Sequence, residues 1–382
     1  MTTFAAPDLS PGALAEVTAE IAATAADYDR TGDLPWKGVE AAHRAGLLTA
    51  TVGRQFGGPG LGPRDTARIL TAIGEGDASV GLLASNLLLS HAGQAARPHW
   101  PAAYYDDLLL RSQTGPALVN AVRAEPELGA PARGGLPRTT ATRDGDGWVL
   151  HGRKAYATGG TGLAYHVVWV LADDGRVGHL VVPGDAPGIT WVETWDHLGL
   201  RASNTHDVIY DGVRVPADAF VEIPRGADGV YRDPAAAAGP GSFGHPALYI
   251  GVARAARAAF AEYARNRVPT ALGRPIAETE RIQSVAGEID LQVVQAETLL
   301  HGALLRLAAG DPVTAELSGI KVAIGRSVIA ATQTAVAALG NPGLSRHHPL
   351  ERHLRDALCI RVHPPQEDAV LVASGRRVLT PR

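Results

Sequence analysis

From Leu339 to Asp368 the chain reads LGNPGLSRHHPLERHLRDALCIRVHPPQED, and more about the architecture follows from this stretch than from any other. It has a Gly-rich turn at Gly340 and Gly343, then the charged block Pro349-x-Glu351-Arg352-x-x-Arg355-Asp356-Ala357, then His363-Pro364-Pro365-Gln366. Proline carries no acid–base group, so a proton moved by this last turn would have to move on the His363 imidazole. Taken by itself His363 is a hydrogen-bonded loop histidine that titrates near neutral pH. His347, His348 and His353 read as solvated residues at a helix start.

Upstream of this stretch the pattern is helical. Pro246 to Arg267 is Ala-rich, and Arg274 to Ala309 sets Ile282, Val285, Ile289, Val293, Leu300, Leu304 and Leu307 on one stripe. Asp311-Pro312 then caps and starts a third helix that ends near Leu339-Gly340. Long antiparallel helices with one apolar side pack as a bundle, whose outer faces are left for subunit contacts. A loop rich in Ala, Gly and Pro, Asp233 to Pro240, precedes them.

From about Ala117 the period is instead alternating. Asp144-Gly145-Asp146-Gly147 between two alternating runs predicts a hairpin, and further strands are expected at His166 to Ala172, Val177 to Val182, Ile189 to Glu193 and His206 to Tyr210. Turns every ten or so residues suit a small barrel or sandwich rather than βαβ units, and there is no Rossmann fingerprint. Before this region, Ser10-Pro11 opens a helix with Leu14, Val17, Ile21, Ala25 and Tyr28 on one face. A second runs from about Pro35 to Ala45 and stops at Gly46, and Pro63 opens another after the loop Gly57 to Gly62. This gives an α+β chain with an N-terminal helical domain (1–115), a central β-barrel domain (116–232) and a C-terminal helical bundle (233–382).

At 382 residues, 46% of them apolar and 19% charged, the chain is long enough to enclose a small molecule. A net charge of −4 without a block of like charge gives no reason to expect nucleic acid or a membrane surface. Cys359 is the single cysteine, which excludes an intramolecular disulfide. No apolar run reaches the roughly 18 residues of a membrane span, and Met1 to Ser10 lacks the regions of a signal peptide. The expectation is a cytoplasmic protein with a small-molecule partner and no metal site.

The block from Gly340 to Ala357 resembles the active-site segment of the acyl-CoA dehydrogenase superfamily. There the P-x-E-R-x-x-R-D-A block leads into Tyr-Glu-Gly-Thr, whose glutamate removes the substrate α-proton. Gln55 to Gly60 resembles the family's Y/F-G-G-x-G, Gly74 to Val80 its helix turn before the substrate region, Lys154 to Thr158 its K-x-W-I-T and Leu198 to Ser203 its L-G-x-R-x-S. In this order the motifs cover nearly the whole chain. They imply an acyl-CoA dehydrogenase-like fold of N-terminal helical domain, central β-barrel and C-terminal four-helix bundle, a bound flavin and a homotetramer. His363 to Gln366 stands where the catalytic glutamate would be. Counting back from Tyr263 and Arg267, the family's second position for that base falls on Gly241.

Within the superfamily the chain is similar to the two-component flavin-dependent monooxygenases, such as dibenzothiophene S-oxygenase and the alkanesulfinate and dimethylsulfone oxygenases. These lack the glutamate, and several carry a histidine at the spacing from Ala357 to His363. The resemblance implies reduced FMN from a separate flavin reductase, molecular oxygen, a flavin C4a-hydroperoxide shielded from water, and His363 as the acid or base beside it. It places Thr158 and Tyr156 against the isoalloxazine, Ser203 and Gly340 in cofactor-binding segments and Arg267 on the phosphate. Ala337 replaces the glutamine that helps hold the FAD pyrophosphate, which favours FMN over FAD. Thr270-Ala271 replaces the Phe-Gly that follows the family's arginine. Asn120 resembles a catalytic asparagine of the S-oxygenases. Anchoring the segment on Glu125-Pro126 instead puts Ala124 where the dehydrogenases have a flavin-binding hydroxyl. The helix Leu82 to Gln94 contributes Asn86, Ser90 and His91 to an otherwise apolar pocket, suited to an organosulfur, aromatic or amine substrate. Two competing readings are an FAD-dependent acyl-CoA or acyl-carrier dehydrogenase with its base relocated to Glu367 or Asp368, and a catalytically silent flavoprotein or assembly partner.

Overall fold

A computed structural model describes residues 3–128, 135–224, 226, 231 and 243–380. The N-terminal third is helical: α1 (Pro11–Thr31), α2 (Trp36–Arg44), α3 (Pro63–Gly76), α4 (Ala78–Ala96) and α5 (Ala102–Thr114). α1 starts as expected, with the Ser10 hydroxyl accepting from the Ala13 amide at 3.3 Å, and buries Ile21 and Ala25 on its inner face. Asp77 caps α4 through the amides of Ser79 (2.7 Å) and Val80 (3.4 Å).

Eight strands follow: β1 (Leu118–Val122), β2 (Thr140–Asp144), β3 (Gly147–Ala157), β4 (Leu163–Ala172), β5 (Val177–Pro183), β6 (Ile189–Val192), β7 (His206–Pro216) and β8 (Phe220–Glu222). They form one sheet in the order β6-β7-β3-β2-β4-β5-β8, with β1 added alongside β4. The expected hairpin is present, Asp144 pairing with Gly147 across a two-residue loop in which Gly145 takes φ +60°. Along β4, Leu163, Tyr165 and Val167 belong to the core shared with the helices, whereas Val168, Val170 and Ala172 join the sheet's own core with Trp148, Leu150, Leu180 and Tyr210. Successive side chains of a strand point to opposite faces, so a strand buried on both is continuously apolar.

The C-terminal elements are α6 (Gly244–Asn266), α7 (Glu280–Ala308), α8 (Thr314–Leu339), α9 (Asn341–Leu344), α10 (Pro349–Leu358) and α11 (Glu367–Leu379). α6, α7 and α8 pack on one another, and the short α10 closes the fourth side against α6 and α8. α7 begins later than expected because Ile276–Glu278 forms a separate 3-10 turn and Thr279 supplies the cap, accepting from the Ile282 amide. α8 corrects one expectation, since Ala315–Leu339 is long and apolar enough to cross a membrane by length and composition. Its surroundings show why: it is the central helix of the bundle, packed on α6, α7 and α10.

Two contacts join the thirds of the chain. α3 and α6 cross closely: a Cβ on Gly74 would overlap the Leu248 backbone, and one on Gly251 the Thr71 carbonyl. The charged block Glu351 to Asp356 forms a clamp. Arg355 makes bidentate contacts to Asp29 of α1 (2.9 and 2.6 Å) and to Glu351 (2.6 and 2.8 Å), and donates to the Leu198 carbonyl at 2.8 Å. The Leu200 amide donates to the Asp356 carboxyl at 2.7 Å. His353, expected in solvent, is buried within this block, while His348 caps α10 as a helix-start residue should.

Glu125 and Lys154 form a fully buried ion pair at 2.8 Å, with Glu125 also accepting from the Arg138 and Thr139 amides and the Thr139 hydroxyl. Burial works against the Glu125 carboxylate, but Lys154 and these donors outweigh it and hold its pKa below the ordinary value. Burial pushes Lys154 down to about 8, which leaves the pair ionised at neutral pH. Removing one partner strands the other charge, so Lys154→Met should lower the unfolding free energy by about 3 kcal/mol or more. The double variant Glu125→Gln/Lys154→Met should recover part of that loss in urea titrations, and equal stability of the two variants would contradict this account.

Candidate active site

The turn after α10 is organised by one buried ammonium. Lys321, on α8 and 5% exposed, donates to the carbonyls of Ile360 (3.0 Å), His363 (2.9 Å) and Pro365 (3.2 Å). An ammonium has three N–H donors, and all three are used on acceptors spread over six residues, which fixes the path of the segment. The Pro364–Pro365 peptide is cis. Burial brings Lys321 down to about 8, so it remains cationic at neutral pH.

Held this way, the His363 ring meets two residues of α6. Its Nε2 lies 2.7 Å from the Tyr249 hydroxyl, and its ring stacks on His245 with centroids 4.5 Å apart and planes 7° from parallel. His245 and Tyr249 are four residues apart and therefore share one helix face. Both imidazoles are set deep in the fold yet keep part of their surface open. Burial, then the charge of Lys321, brings His245 down to about 4. Burial, His245 and Lys321 together push His363 well below its ordinary value. Tyr249 is fully buried and is pushed well above its own. At neutral pH the site thus presents two neutral imidazoles, a neutral phenol and a locked cation.

Among the described residues no Asp or Glu is hydrogen-bonded to His245, Tyr249 or His363. Glu367 is instead gripped by the Arg326 guanidinium at 2.9 and 2.6 Å, on the α8–α11 side. Gly241, the family's second position for the base, lies outside the described residues.

The motif around Thr158 builds a polar cradle beside an exposed ring. The β3–β7 register slips between Lys154 and Ala157, and at the slip Tyr156 takes φ +59° and leaves its side chain 58% exposed. A left-handed tyrosine is strained, and a large ring left open at a strained position is what a planar ligand would cover. Behind it the hydroxyls of Thr158, Thr205 and Ser203 form a buried chain with spacings of 3.1 and 2.7 Å, and the Gly159 amide donates to the Ser203 carbonyl at 3.0 Å. These residues suit a flavin: an aromatic face for the ring, with hydroxyls beside it for its polar edge. Asn120 is buried on β1, opposite His166 of β4. The Ala155 amide donates to the Ala124 carbonyl at 2.9 Å beside the Glu125–Lys154 pair, and a methyl group occupies position 124.

Arg267, at the exposed end of α6, lines a cleft of about 560 Å³ with Tyr263, Thr279, Arg281, Leu339 and Pro342. The last two flank Gly340, whose φ of +64° turns the chain out of α8. On α4, Asn86 and Ser90 share a face, and the Ser90 hydroxyl donates to the Asn86 carbonyl at 2.8 Å. A Cβ on Gly244 would come within 2.7 Å of Ser85 Oγ and 3.0 Å of Leu89 Cδ1, which sets this part of α4 against the first turn of α6, where His245 sits. His91 points the other way: it is fully enclosed, its Nδ1 3.0 Å from the Tyr105 hydroxyl in an aromatic cluster with Phe56 and Trp100. The structure therefore places His91 in the core rather than on the cavity side.

The sequence and the fold match one family. Models of the N-terminal, middle and C-terminal domains of acyl-CoA dehydrogenases match residues 13–97, 121–213 and 243–365, and the chain belongs to the acyl-CoA dehydrogenase superfamily. It is a flavin-dependent oxidoreductase of that family. The chain is 29% identical to the putative acyl-CoA dehydrogenase YdbM of Bacillus subtilis, over 94% of this chain and 93% of that protein. It is 31% identical to the L-evernosamine nitrososynthase of a Micromonospora species, over 95% of this chain and 88% of that one. Among solved structures, KijD3 in complex with FMN and dTDP-3-amino-2,3,6-trideoxy-4-keto-3-methyl-D-glucose superposes with a TM-score of 0.80 at 25% identity, over 99% of this chain and 96% of that one.

His245, Tyr249, Lys321 and Arg281 were not anticipated from the sequence. A signal was available for three of them: His245 and Tyr249 interrupt the apolar face of α6 at i,i+4, and Lys321 is a cation in the middle of an apolar helix.

The buried titratable groups predict an acid-sensitive fold. Burial brings His91, His166 and His245 down to about 4 and His353 to about 3, with His363 also low. These histidines protonate in the unfolded chain below about 6.5, so unfolding takes up protons between that pH and the folded values, and stability falls as the pH drops through this window. Asp77 and Asp356, raised by burial to about 6 and about 7, act in the opposite direction but are outnumbered. Urea unfolding should show lower stability at pH 5 than at pH 7, and an unchanged or higher value at pH 5 would contradict the burial of these rings.

Proposed function

We propose that the chain is a reduced-FMN-dependent monooxygenase that inserts one oxygen atom into a small, largely apolar substrate. The observation that carries this reading is the His363–Tyr249–His245 group, which holds no carboxylate among its described members, while by resemblance the His363 segment aligns with the dehydrogenases' proton-abstracting glutamate. A reduced flavin bound here would supply the electrons that activate dioxygen. The work left to the chain is to orient that flavin, keep water out and control one proton near the reacting atoms.

The Thr158 and Ser203 hydroxyls would hold the polar edge of the ring system, with Tyr156 against its face. Arg267 would take the phosphate, assisted by Arg281 and the turn at Gly340. The relative solved with FMN supports FMN, and Ala337 removes a side chain that FAD would use. Asn120, buried on β1, would serve beside the reacting atoms, and Asn86 and Ser90 would supply polar groups to the substrate pocket. The similarity to a nitrososynthase, a name that denotes oxidation at nitrogen, puts an amine among the candidate substrates beside organosulfur and aromatic compounds. A separate reductase to deliver reduced flavin and a homotetramer built on the outer faces of the bundle complete the proposal, with the cytoplasm as its setting.

The similarity to YdbM favours a second reading, an FAD-dependent acyl-CoA dehydrogenase. Its relocated base would have to be Glu367 or Asp368, and Glu367 is already engaged by Arg326.

In an assay supplying reduced FMN, oxygen and a panel of small amines, sulfides and phenols, the wild type should yield oxygenated product. His363→Ala should bind FMN within about threefold of wild type, judged by flavin fluorescence, while product per oxygen consumed falls at least tenfold. Full coupling in this variant would remove His363 from the reaction.

A further inference from the structure

The sequence leaves the part played by His363 open between acid and base, and its surroundings narrow the choice. A base needs an imidazole nitrogen with a free lone pair facing the substrate, and an imidazolium acid needs a group able to stabilise positive charge. At this site one ring nitrogen is engaged and the nearest charge is positive. Nε2 is taken by the Tyr249 hydroxyl at 2.7 Å. The groups facing the ring are His245 and Tyr249 from α6 and the Lys321 ammonium from α8. The nearest contributions from other elements act elsewhere: Asp356 and Cys359 act on Tyr249, and Glu367 of α11 acts on Lys321.

Tyr249 is fully buried and the one described hydrogen bond of its hydroxyl is to His363 Nε2, a contact in which the phenol can place its proton on the imidazole nitrogen. A neutral imidazole that accepts at Nε2 carries its own proton on Nδ1. We propose that His363 serves as a neutral N–H donor, presenting Nδ1–H to the reacting oxygen or flavin edge, and that Tyr249 and His245 are the positioning residues that fix this tautomer and ring orientation. The inference rests on the monooxygenase reading for what His363 addresses, but the tautomer is a property of the protein itself.

Each partner has a distinct part. Tyr249 selects the tautomer through one hydrogen bond. His245, stacked nearly parallel, blocks rotation of the His363 ring and, with Lys321 alongside, opposes its protonation. Lys321 keeps the His363 backbone in place through the carbonyl bond at 2.9 Å. A hydrogen bond from a neutral imidazole stabilises developing negative charge without a proton leaving the ring, so this step consumes no acid and requires no reprotonation.

The test reads the ring directly. Protein labelled with ¹⁵N-histidine and free of flavin is followed by NMR between pH 5.5 and 8, with His363→Gln used to assign the signal. The expected result is a single neutral tautomer protonated at Nδ1 and unchanged across the range. In Tyr249→Phe, which keeps the ring and loses only the hydroxyl, the signal should become a mixture of tautomers, and His245→Asn should let His363 begin to titrate within the range. Finding wild-type His363 protonated at Nε2, or as imidazolium at pH 7, overturns the proposal. So does an unaltered tautomer in Tyr249→Phe. These outcomes are independent of oxygenation: a correct tautomer in a protein that oxygenates nothing would reject the monooxygenase reading alone.

Discussion

The structure depends on a single guanidinium. Arg355 ties the C-terminal α10 to the N-terminal α1 through Asp29 and, with Asp356, to the loop that follows the sheet's sixth strand. Three segments far apart in sequence thus meet at one charged, mostly buried point. Arg–carboxylate forks of this kind are directional, and replacing either side leaves a buried charge without a partner. The P-x-E-R-x-x-R-D-A block looks like catalytic machinery in sequence, but its charged residues act mechanically. They set the direction in which the chain leaves α10 and so the place where His363 arrives.

Lys321 continues that constraint into the site itself. By spending all its donors on carbonyls it turns a Pro-rich segment into a rigid support, and its charge adds to the burial that keeps the neighbouring imidazoles neutral. The atom that positions the segment thus also contributes to its electrostatics. At the turn after α10 this chain places an imidazole held between a phenol and a second imidazole, and the neutral N–H donor is the role proposed for it. That arrangement is suited to managing a proton near a reactive oxygen species, because nothing in it is a strong base.

Much of the fold was legible in the sequence because its signals are local. The Asp144 to Gly147 turn, the stripe from Ile282 to Leu307 and the cap at Ser10 each follow from a few consecutive residues, and each is present as read. Part of the site was legible through motif spacing, which brought out His363, Thr158 and Tyr156. Its other half was not. His363 and Tyr249 are 114 residues apart, and a contact over that separation leaves no periodic trace. The misreadings have similar causes. His91 and His353 look like polar residues on helices, yet each faces inward, a property of helix placement rather than of composition. α8 was passed over as a membrane-length segment because Lys321, Arg326 and Glu316 punctuate it, and they are used for bonds within the fold.

The central claim is that, among the described residues around His363, no carboxylate is bonded in place to draw a proton from the carbon next to a thioester. It is tested most directly by loading the protein with oxidised flavin under strict anaerobiosis and adding butyryl-CoA or octanoyl-CoA while following the flavin's visible absorbance. The account predicts an unchanged spectrum, because substrate oxidation requires the missing carboxylate. Bleaching of the flavin on mixing, with enoyl-CoA formed in equal amount, would contradict it.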